Sequence, residues 1–233
     1  MNKDKIIFVG DIHGAFQKLK WTIAQNYKNA YIIQVGDFGV GFKKNNYYSV
    51  ELEIVNNRLR QLNCHLYAIR GNHDNPSWFQ ETINPFDLSN ITLLADYSEL
   101  ELLNQKILLV GGAVSIDRVF RTPNIDWWED EKFVLKTDEE FPYSEKQYDI
   151  VVTHTRPAIC GAFKGFANIH YWCNKDSDLK EKLIAESQQM DILYQKTKPK
   201  HWFYGHFHES NSTIYEGTQF KCLNIDEHYM LNV

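Results

Sequence analysis

The sequence predicts an α/β or α+β protein in which mixed β-sheets stack face to face and helices cover them. The first observation is that three short β-branched runs, at residues 5–10, 30–35 and 66–69, alternate with segments of helical periodicity. Strands that alternate with helices pair in parallel through right-handed crossovers. The second observation is that the strands after residue 90 follow tight connections, which predicts added antiparallel pairs.

The individual elements follow from local spacing. Phe16, Leu19 and Ile23 share one face of a first helix, and apolar residues from Leu52 to Leu62 form a second, with Ser49 as the expected N-cap. A short helix is expected at 125–133 and a long one at 178–196. Further strands are predicted at 91–94, 99–103, 106–110, 149–153 and 201–204, followed by a hairpin at 212–225 that turns at Glu216 and Gly217.

Composition limits the function classes. The 233 residues are 43% hydrophobic and contain no repeat or linker, so a single domain over 1–233 is expected. Because the chain has 25 basic and 30 acidic residues, an extended footprint on duplex nucleic acid or an anionic membrane is not expected. No apolar run approaches the ~18 residues of a membrane span, and a cytoplasmic location is expected. The scattered cysteines are interpreted as free thiols: Cys64, Cys160, Cys173 and Cys222.

Polar residues follow five apolar strands at the point where each strand ends. The junctions read GDIHG (10–14), GDFG (36–39), GNHD (71–74), VVTHTRP (151–157) and GHFH (205–208). Since the carboxyl ends of parallel strands meet at one edge of a sheet, these side chains are expected to converge there. If the backbone is extended at Asp11/His13 and at His206/His208, each pair lies on one face and can chelate.

The junctions supply two carboxylates, one amide oxygen and several imidazoles, which suits first-row divalent metals. Seven candidate ligands exceed one tetrahedral site but fit two metals that share a bridging carboxylate. A single Gly-Asp would indicate an ordinary turn, and a single His at a strand end would indicate an ordinary polar residue. Five such junctions in one chain favour a functional site instead. The other histidines, His65, His170, His201 and His228, are expected to be structural or exposed.

These five motifs resemble, in content and order, those of the calcineurin-like metallophosphoesterases, and they span residues 6–208. The resemblance implies an α/β fold, a four-layer α/β/β/α sandwich with two mixed β-sheets flanked by helices. It implies one metal held by Asp11, His13, Asp37 and His208, and a second held by Asp37, Asn72, His154 and His206. His73 would face the substrate as a catalytic residue, and Asp74 would orient it. The expected cofactors are two divalent ions, with manganese favoured and iron or zinc as alternatives.

The resemblance implies hydrolysis of a phosphomonoester or phosphodiester by a hydroxide that bridges the two ions. The partner would be a phosphate ester on a small molecule, nucleotide or phosphoprotein. A serine/threonine phosphoprotein phosphatase is an alternative, although the GDxVDRG block typical of those enzymes reads GDFGVG here. A non-catalytic metal-bound scaffold is a second alternative.

Three arginines are candidate substrate contacts: Arg118, Arg121 and Arg156. The adjacent indoles of Trp127 and Trp128 can stack on a base. In the competing interpretation, Arg118 and Arg121 pair with nearby acidic residues, the tryptophans pack in the core, and Arg156 caps a strand end.

Overall fold

The structure, a computed structural model, describes residues 2–161 and 169–231. In these ranges it contains eleven strands and four α-helices. The strands are β1 (Lys5–Val9), β2 (Ala30–Gln34), β3 (His65–Ala68), β4 (Ile91–Leu93), β5 (Ser98–Leu102), β6 (Gln105–Val110), β7 (Ile150–Thr153), β8 (His201–Tyr204), β9 (Asn211–Tyr215), β10 (Thr218–Cys222) and β11 (His228–Leu231). The helices are α1 (Phe16–Asn26), α2 (Asn45–Gln61), α3 (Ile169–Lys175) and α4 (Leu179–Thr197).

The strands form two mixed sheets. The first has the order β11-β1-β2-β3-β4, in which β1 to β4 are parallel and β11 pairs antiparallel with β1. The second has the order β5-β6-β7-β8-β10-β9, in which the four central strands are parallel and both edge strands are antiparallel. Parallel neighbours bring their carboxyl ends to one edge, and this edge carries the site described below.

Three apolar layers hold the fold together. Between the sheets, Phe8 of β1 stacks on Phe203 of β8 with ring centroids 3.7 Å apart, amid other fully buried strand residues. The outer face of the first sheet packs against α1 and α2 through residues such as Leu19 and Leu52. The outer face of the second packs against α4, where Met190 is fully buried. The predicted four-layer α/β/β/α sandwich is confirmed.

Several local expectations differ from the structure. Helix α2 begins at Asn45, one turn before the expected cap Ser49, whose hydroxyl donates to the Asn46 carbonyl inside the helix at 3.0 Å. Tyr48 accounts for the earlier start, because its buried hydroxyl accepts the backbone N–H groups of the preceding loop. The predicted helix at 125–133 is reduced to one 3-10 turn, Glu129–Glu131. Strand β11 and helix α3 were not predicted.

The structure also describes the predicted hairpin, the cysteines and the helix lengths. The hairpin of β9 and β10 turns at Glu216 and Gly217 as predicted. The four cysteines are free, with Cys64 and Cys222 buried and the other two half-buried. Among the described residues, no helix has the length and apolar character needed to cross a bilayer.

Candidate metal centre

The strand ends of both sheets bring seven polar side chains to one place. Asp11 and His13 follow β1, Asp37 follows β2 and Asn72 follows β3, all from the first sheet. The second sheet contributes His154 after β7, and His206 and His208 after β8. Residues more than 190 positions apart in the chain therefore meet at the edge predicted from the junction motifs.

Four of these residues form a compact group that opens to solvent. One donor atom from each of Asp11, His13, Asp37 and His208 lies within 4.8 Å of the others, with both carboxylates buried and both imidazoles exposed. The Nε2 atoms of His13 and His208 are 3.1 Å apart, and His208 Nε2 is 3.3 Å from Asp11 Oδ2. Two carboxylates and two imidazoles in this arrangement can hold a divalent ion.

A second group lies beneath the first and is fully enclosed. His154 Nδ1 is 2.9 Å from the Val35 carbonyl, so an N–H lies there and Nε2 is the nitrogen left for a second proton or a metal ion. That Nε2 faces two oxygens, Asn72 Oδ1 at 3.1 Å and Asp37 Oδ1 at 3.2 Å. The ring of His206 lies beside it, with centroids 4.9 Å apart. Lone pairs that converge in this way need a proton or a cation between them.

The pKa shifts of the buried groups also indicate that positive charge is needed between them. Burial by itself would raise the pKa of Asp37, but the imidazoles of His154, His73 and His13 hold it well below its usual range. Burial opposes protonation of His154, yet Asp37 raises the pKa of His154 to about 9. His206, which is buried beside that cation, has a pKa well below its ordinary value because of desolvation first and His154 second. Asp37 is therefore ionised and requires positive charge around it.

Glycines make this close packing possible. A Cβ at Gly71 would lie 2.1 Å from Asp37 Oδ1, and a Cβ at Gly205 would lie 2.1 Å from Asp11 Oδ1. The backbone also turns sharply here, because His13, His206 and His208 have φ values of 46°, 68° and 51°. The expectation of extended chelating pairs was wrong, since these left-handed residues leave the strand direction at once.

A further observation also indicates that the donor set fits a divalent cation. Asp37 Oδ2 is buried and has no hydrogen-bond partner among the described residues, although ionised buried oxygens are normally fully satisfied. The atom lies 3.7 Å from His13 Nδ1, in the direction of the first group. Asp37 thus presents one oxygen to each group, as a carboxylate shared by two cations would.

His73 and Arg121 stand beside the donor cluster. The backbone N–H of His73 donates to Asp37 Oδ1 at 2.7 Å, and its ring lies edge to face against His13. A guanidinium nitrogen of Arg121 is 2.6 Å from His73 Nε2 and is also held by Asp117. Burial and the Arg121 cation lower the pKa of His73 against the pull of Asp37, so its imidazole is neutral at pH 7.

Asp74 contacts the backbone of two junctions. Its fully buried carboxylate accepts four backbone N–H groups at 2.7 to 3.0 Å, from Phe38, Gly39, Val40 and Gly71. It therefore fastens the junction after β2 to the junction after β3, next to His73.

The other two arginines are engaged elsewhere. Arg118 pairs with Asp176 and Asp178 in front of α4, so its partners are not the acidic residues expected from the sequence. Arg156 is 2% exposed, lies 4.0 Å above the Phe207 ring and donates to Glu209 and the Gly161 carbonyl. Among the three candidates, the geometry brings Arg121 to the donor cluster.

Trp128 follows the packing interpretation, whereas Trp127 is half-buried and lines a cavity. The indole N–H of Trp127 donates to Glu131 Oε1 at 2.9 Å. Trp128 is 8% exposed and packs edge to face on Phe42, with centroids 5.3 Å apart. The competing base-stacking interpretation requires exposed indole faces.

A cleft not predicted from the sequence opens beside His13 and His73. It has a volume of about 230 Å³ and is lined on its far side by Phe42, Lys43 and Tyr47. The Tyr48 hydroxyl accepts the N–H groups of Phe42 and Lys43 at 2.9 and 3.0 Å, which fixes this wall. The local signal was the aromatic and basic run FKKNNYY directly after the second junction.

Comparisons with known proteins identify the family and the fold. A family model for calcineurin-like phosphoesterases matches residues 4–210. Two similar solved structures are a phosphopantetheinyl hydrolase from Mycobacterium tuberculosis and a proposed 5'-nucleotidase from Staphylococcus aureus in complex with alpha-ketoglutarate. The first has a TM-score of 0.50 and 13% identity over 95% of this chain and 90% of its own. The second has a TM-score of 0.52 and 12% identity over 98% of this chain and 51% of its own.

At such identities the structural likeness concerns the fold alone. A comparison with curated protein sequences gives no match. The family match, in contrast, extends over most of the chain and contains all five junction motifs. This protein therefore belongs to the calcineurin-like phosphoesterase family.

Proposed function

We propose that this protein is a metal-dependent phosphoesterase that hydrolyses a phosphomonoester or phosphodiester with two divalent ions, manganese by preference and iron or zinc as alternatives. The observation that carries the proposal is the convergence of Asp11, His13, Asp37 and His208, whose donor atoms lie within 4.8 Å of one another. These four residues would hold the first ion. Asp37 would be shared with a second ion held by Asn72, His154 and His206.

Charge supports a phosphate substrate. Two divalent ions carry four positive charges, Asp11 and Asp37 return two, and neutral imidazoles and an amide return none. When bound, the ions would lower the pKa of a bridging water to give the attacking hydroxide and polarise the phosphoryl oxygens. The surplus positive charge at the strand ends favours binding of a phosphate ester even though the whole chain has a net charge of −5.

His73 and Arg121 would act on the substrate directly. The His73 imidazole, placed by its backbone bond to Asp37, can donate a hydrogen bond to a phosphoryl oxygen when neutral, and only its protonated form can give a proton to the leaving oxygen. Arg121 reaches the same position from a distant loop and offers N–H groups to a second phosphoryl oxygen. The GDxVDRG block of phosphoprotein phosphatases contains an arginine that the GDFGVG block of this chain lacks. Arg121 would supply a guanidinium from another segment, which keeps a phosphomonoester among the proposed substrates.

The cleft beside His13 and His73 would receive the alcohol part of the ester. Phe42 and Tyr47 provide flat surfaces, and the exposed ammonium group of Lys43 provides positive charge at the rim. An aryl or nucleoside group can stack there while the phosphoryl group meets the donor cluster.

The test is a parallel assay of the Mn²⁺-loaded protein on p-nitrophenyl phosphate, bis-p-nitrophenyl phosphate, cyclic nucleotides, single-stranded nucleic acid and a phosphoserine peptide. Hydrolysis that is lost with EDTA and restored by Mn²⁺ is the expected result. Selective hydrolysis of the peptide would favour the phosphoprotein phosphatase alternative. Full metal occupancy without activity on any substrate would overturn the proposal in favour of a metal-bound scaffold.

A further inference from the structure

Arg121 directly follows the 3-10 turn Arg118–Phe120, which lies in the loop after β6. The Arg121 N–H donates to the Arg118 carbonyl at 3.1 Å, and the Phe120 N–H donates to the Asp117 carbonyl at 2.9 Å. These two hydrogen bonds join Arg118 and Arg121 in one turn of backbone. A change that releases Arg118 therefore also releases the backbone of Arg121.

The guanidinium of Arg121 is held largely by its own loop. Its Nη2 lies 2.9 Å from Asp117 Oδ2, and its Nη1 lies 3.4 Å from the Asp126 carbonyl. Because Asp117 and Asp126 belong to the same loop, they fix the guanidinium relative to the loop and not relative to the donor cluster. A phosphoryl oxygen would compete for the N–H that now faces His73 Nε2 at 2.6 Å. The position of Arg121 on the substrate then depends on what holds the loop.

The apolar side chains of this turn are largely in solvent. Val119 and Phe120 are exposed, although the Phe120 ring lies edge to face with Trp172, with centroids 5.9 Å apart. Ile116, before the turn, is half-buried against the apolar cluster at the start of α4. Since an exposed side chain removes little apolar area from water, apolar burial beyond Ile116 contributes little to fixing the turn.

Arg118 provides the missing attachment. Its Nε and Nη2 donate to the two oxygens of Asp176 at 2.5 and 2.8 Å, and Nη2 also lies 2.5 Å from Asp178 Oδ1. The side chains of Arg118 and Asp176 are 11% and 4% exposed. A bidentate pair that is shielded from water is stronger and better oriented than an exposed ion pair. Asp176 lies between α3 and α4, so the pair attaches the turn to the helical layer.

We propose that Arg118 and Asp176 are positioning residues for Arg121, and that their ion pair holds the turn against the start of α4 so that the Arg121 guanidinium meets the phosphoryl group. The inference rests on the proposed function only in taking Arg121 as a phosphate contact. Arg118 acts on the substrate through Arg121 and does not touch it. Metal binding does not depend on the pair, because neither residue belongs to the donor cluster.

Phosphate binding without turnover provides the test. The Mn²⁺-loaded protein is titrated with inorganic phosphate by calorimetry as wild type, Asp176→Asn, Arg121→Ala and the double variant. Asp176→Asn should weaken phosphate binding about 3-fold or more with unchanged Mn²⁺ stoichiometry. The double variant should bind phosphate as Arg121→Ala does, because the pair acts through Arg121.

The charge change by itself predicts the opposite sign. Loss of a negative charge near the site favours an anion, so weaker binding in Asp176→Asn is not a simple charge effect. Glu181→Gln is the matched control, because Glu181 is exposed in the first turn of α4 and carries the same charge. Its phosphate affinity should equal or slightly exceed that of the wild type.

A second readout needs neither metal nor phosphate. The ring-proton chemical shifts of His73 in the metal-free protein, measured at one fixed pH, report on the Arg121 contact. Asp176→Asn should move these shifts toward their values in Arg121→Ala, and Glu181→Gln should leave them in place. Urea unfolding identifies any loss of fold. If Asp176→Asn does not fold, Arg118→Lys replaces it in both readouts, because lysine keeps the charge beside Asp176 but lacks the planar fork.

Wild-type phosphate affinity in Asp176→Asn, or unmoved His73 shifts, would overturn the inference. An equal loss of phosphate affinity with and without Arg121 would also overturn it, since the pair would then act as a general fold contact. Failure of the proposed function is separate. A wild type that binds no Mn²⁺ or hydrolyses no ester removes the function, whereas the His73 shifts still decide whether the pair places Arg121.

Discussion

Gly71→Ala tests whether the close approach at Gly71 is what allows Asp37 and His154 to converge. The added Cβ would lie 2.1 Å from Asp37 Oδ1, 2.3 Å from Asp37 N and 2.7 Å from His154 Nε2. Ordinary contact begins at 3.4 Å, so the carboxylate oxygen must withdraw by about 1.3 Å. The φ angle of Gly71 is not in the left-handed region, so the penalty is steric.

The magnitude has two parts. Overpacking a rigid buried site costs about 1–3 kcal/mol. Moving Asp37 also breaks the 2.7 Å hydrogen bond from the His73 N–H, which is worth about 1.5–3 kcal/mol for a charged acceptor. We expect the free energy of unfolding, measured with urea in EDTA, to fall by about 3–5 kcal/mol after partial relaxation. Mn²⁺ stoichiometry should fall because the shared carboxylate is displaced.

Gly217→Ala is the matched control. A Cβ there meets no atom within 4 Å, but φ is +87°, so its cost is conformational and about 1–2 kcal/mol. Its metal stoichiometry should equal that of the wild type. Wild-type stability and full stoichiometry in Gly71→Ala would refute the steric reasoning.

Four further predictions concern catalysis, recognition and pH. His73→Ala should keep metal content near normal and lower kcat about 10²- to 10⁴-fold, whereas Asp37→Asn should lower metal occupancy; equal metal loss in both would contradict this division of roles. Arg121→Ala should raise KM for a phosphate ester about 10-fold or more with metal content unchanged, and unaltered kinetics on every ester would remove Arg121 from the site. Tyr47→Ala should raise KM for aryl esters more than for alkyl esters, by about 5-fold or more if the ring stacks; an equal effect on both would exclude stacking. Burial raises the pKa of Glu186 to about 7, so the native state binds the proton more tightly than the unfolded state and stability falls as pH rises from about 4.5 to 7. Glu186→Gln should remove up to about 3 kcal/mol of that pH dependence in urea unfolding, and an unchanged slope would disprove the assignment.

Most of what the sequence predicts about the candidate site rests on the five junction motifs. Gly-Asp and Gly-Asn after short apolar runs are local signals, because the glycine, the polar residue and the strand end are adjacent in sequence. They were sufficient to place Asp11, Asp37 and Asn72 at one edge of a sheet. Whether these residues hold ions stays a prediction that the metal titrations will test.

The arginines show why the remainder could not be predicted. Arg118 and Arg121 lie three residues apart in one loop, yet one pairs with acids in front of α4 and the other reaches His73. Sequence spacing cannot separate them, because the partners are 58 and 48 residues away. Asp74 is similar, since its carboxylate accepts N–H groups from a loop more than 30 residues earlier.

By itself the sequence determined the alternation of strands and helices, the stacked mixed sheets and the chemical types of the site residues, because each depends on neighbours within a few positions. Tertiary structure decided the left-handed turns at His13 and His206, the choice of Arg121, and the hydrogen bond from the Asn72 amide to Ser115. These features arise where loops from both sheets pack together, and a buried polar group takes whichever partner that packing brings within hydrogen-bond distance.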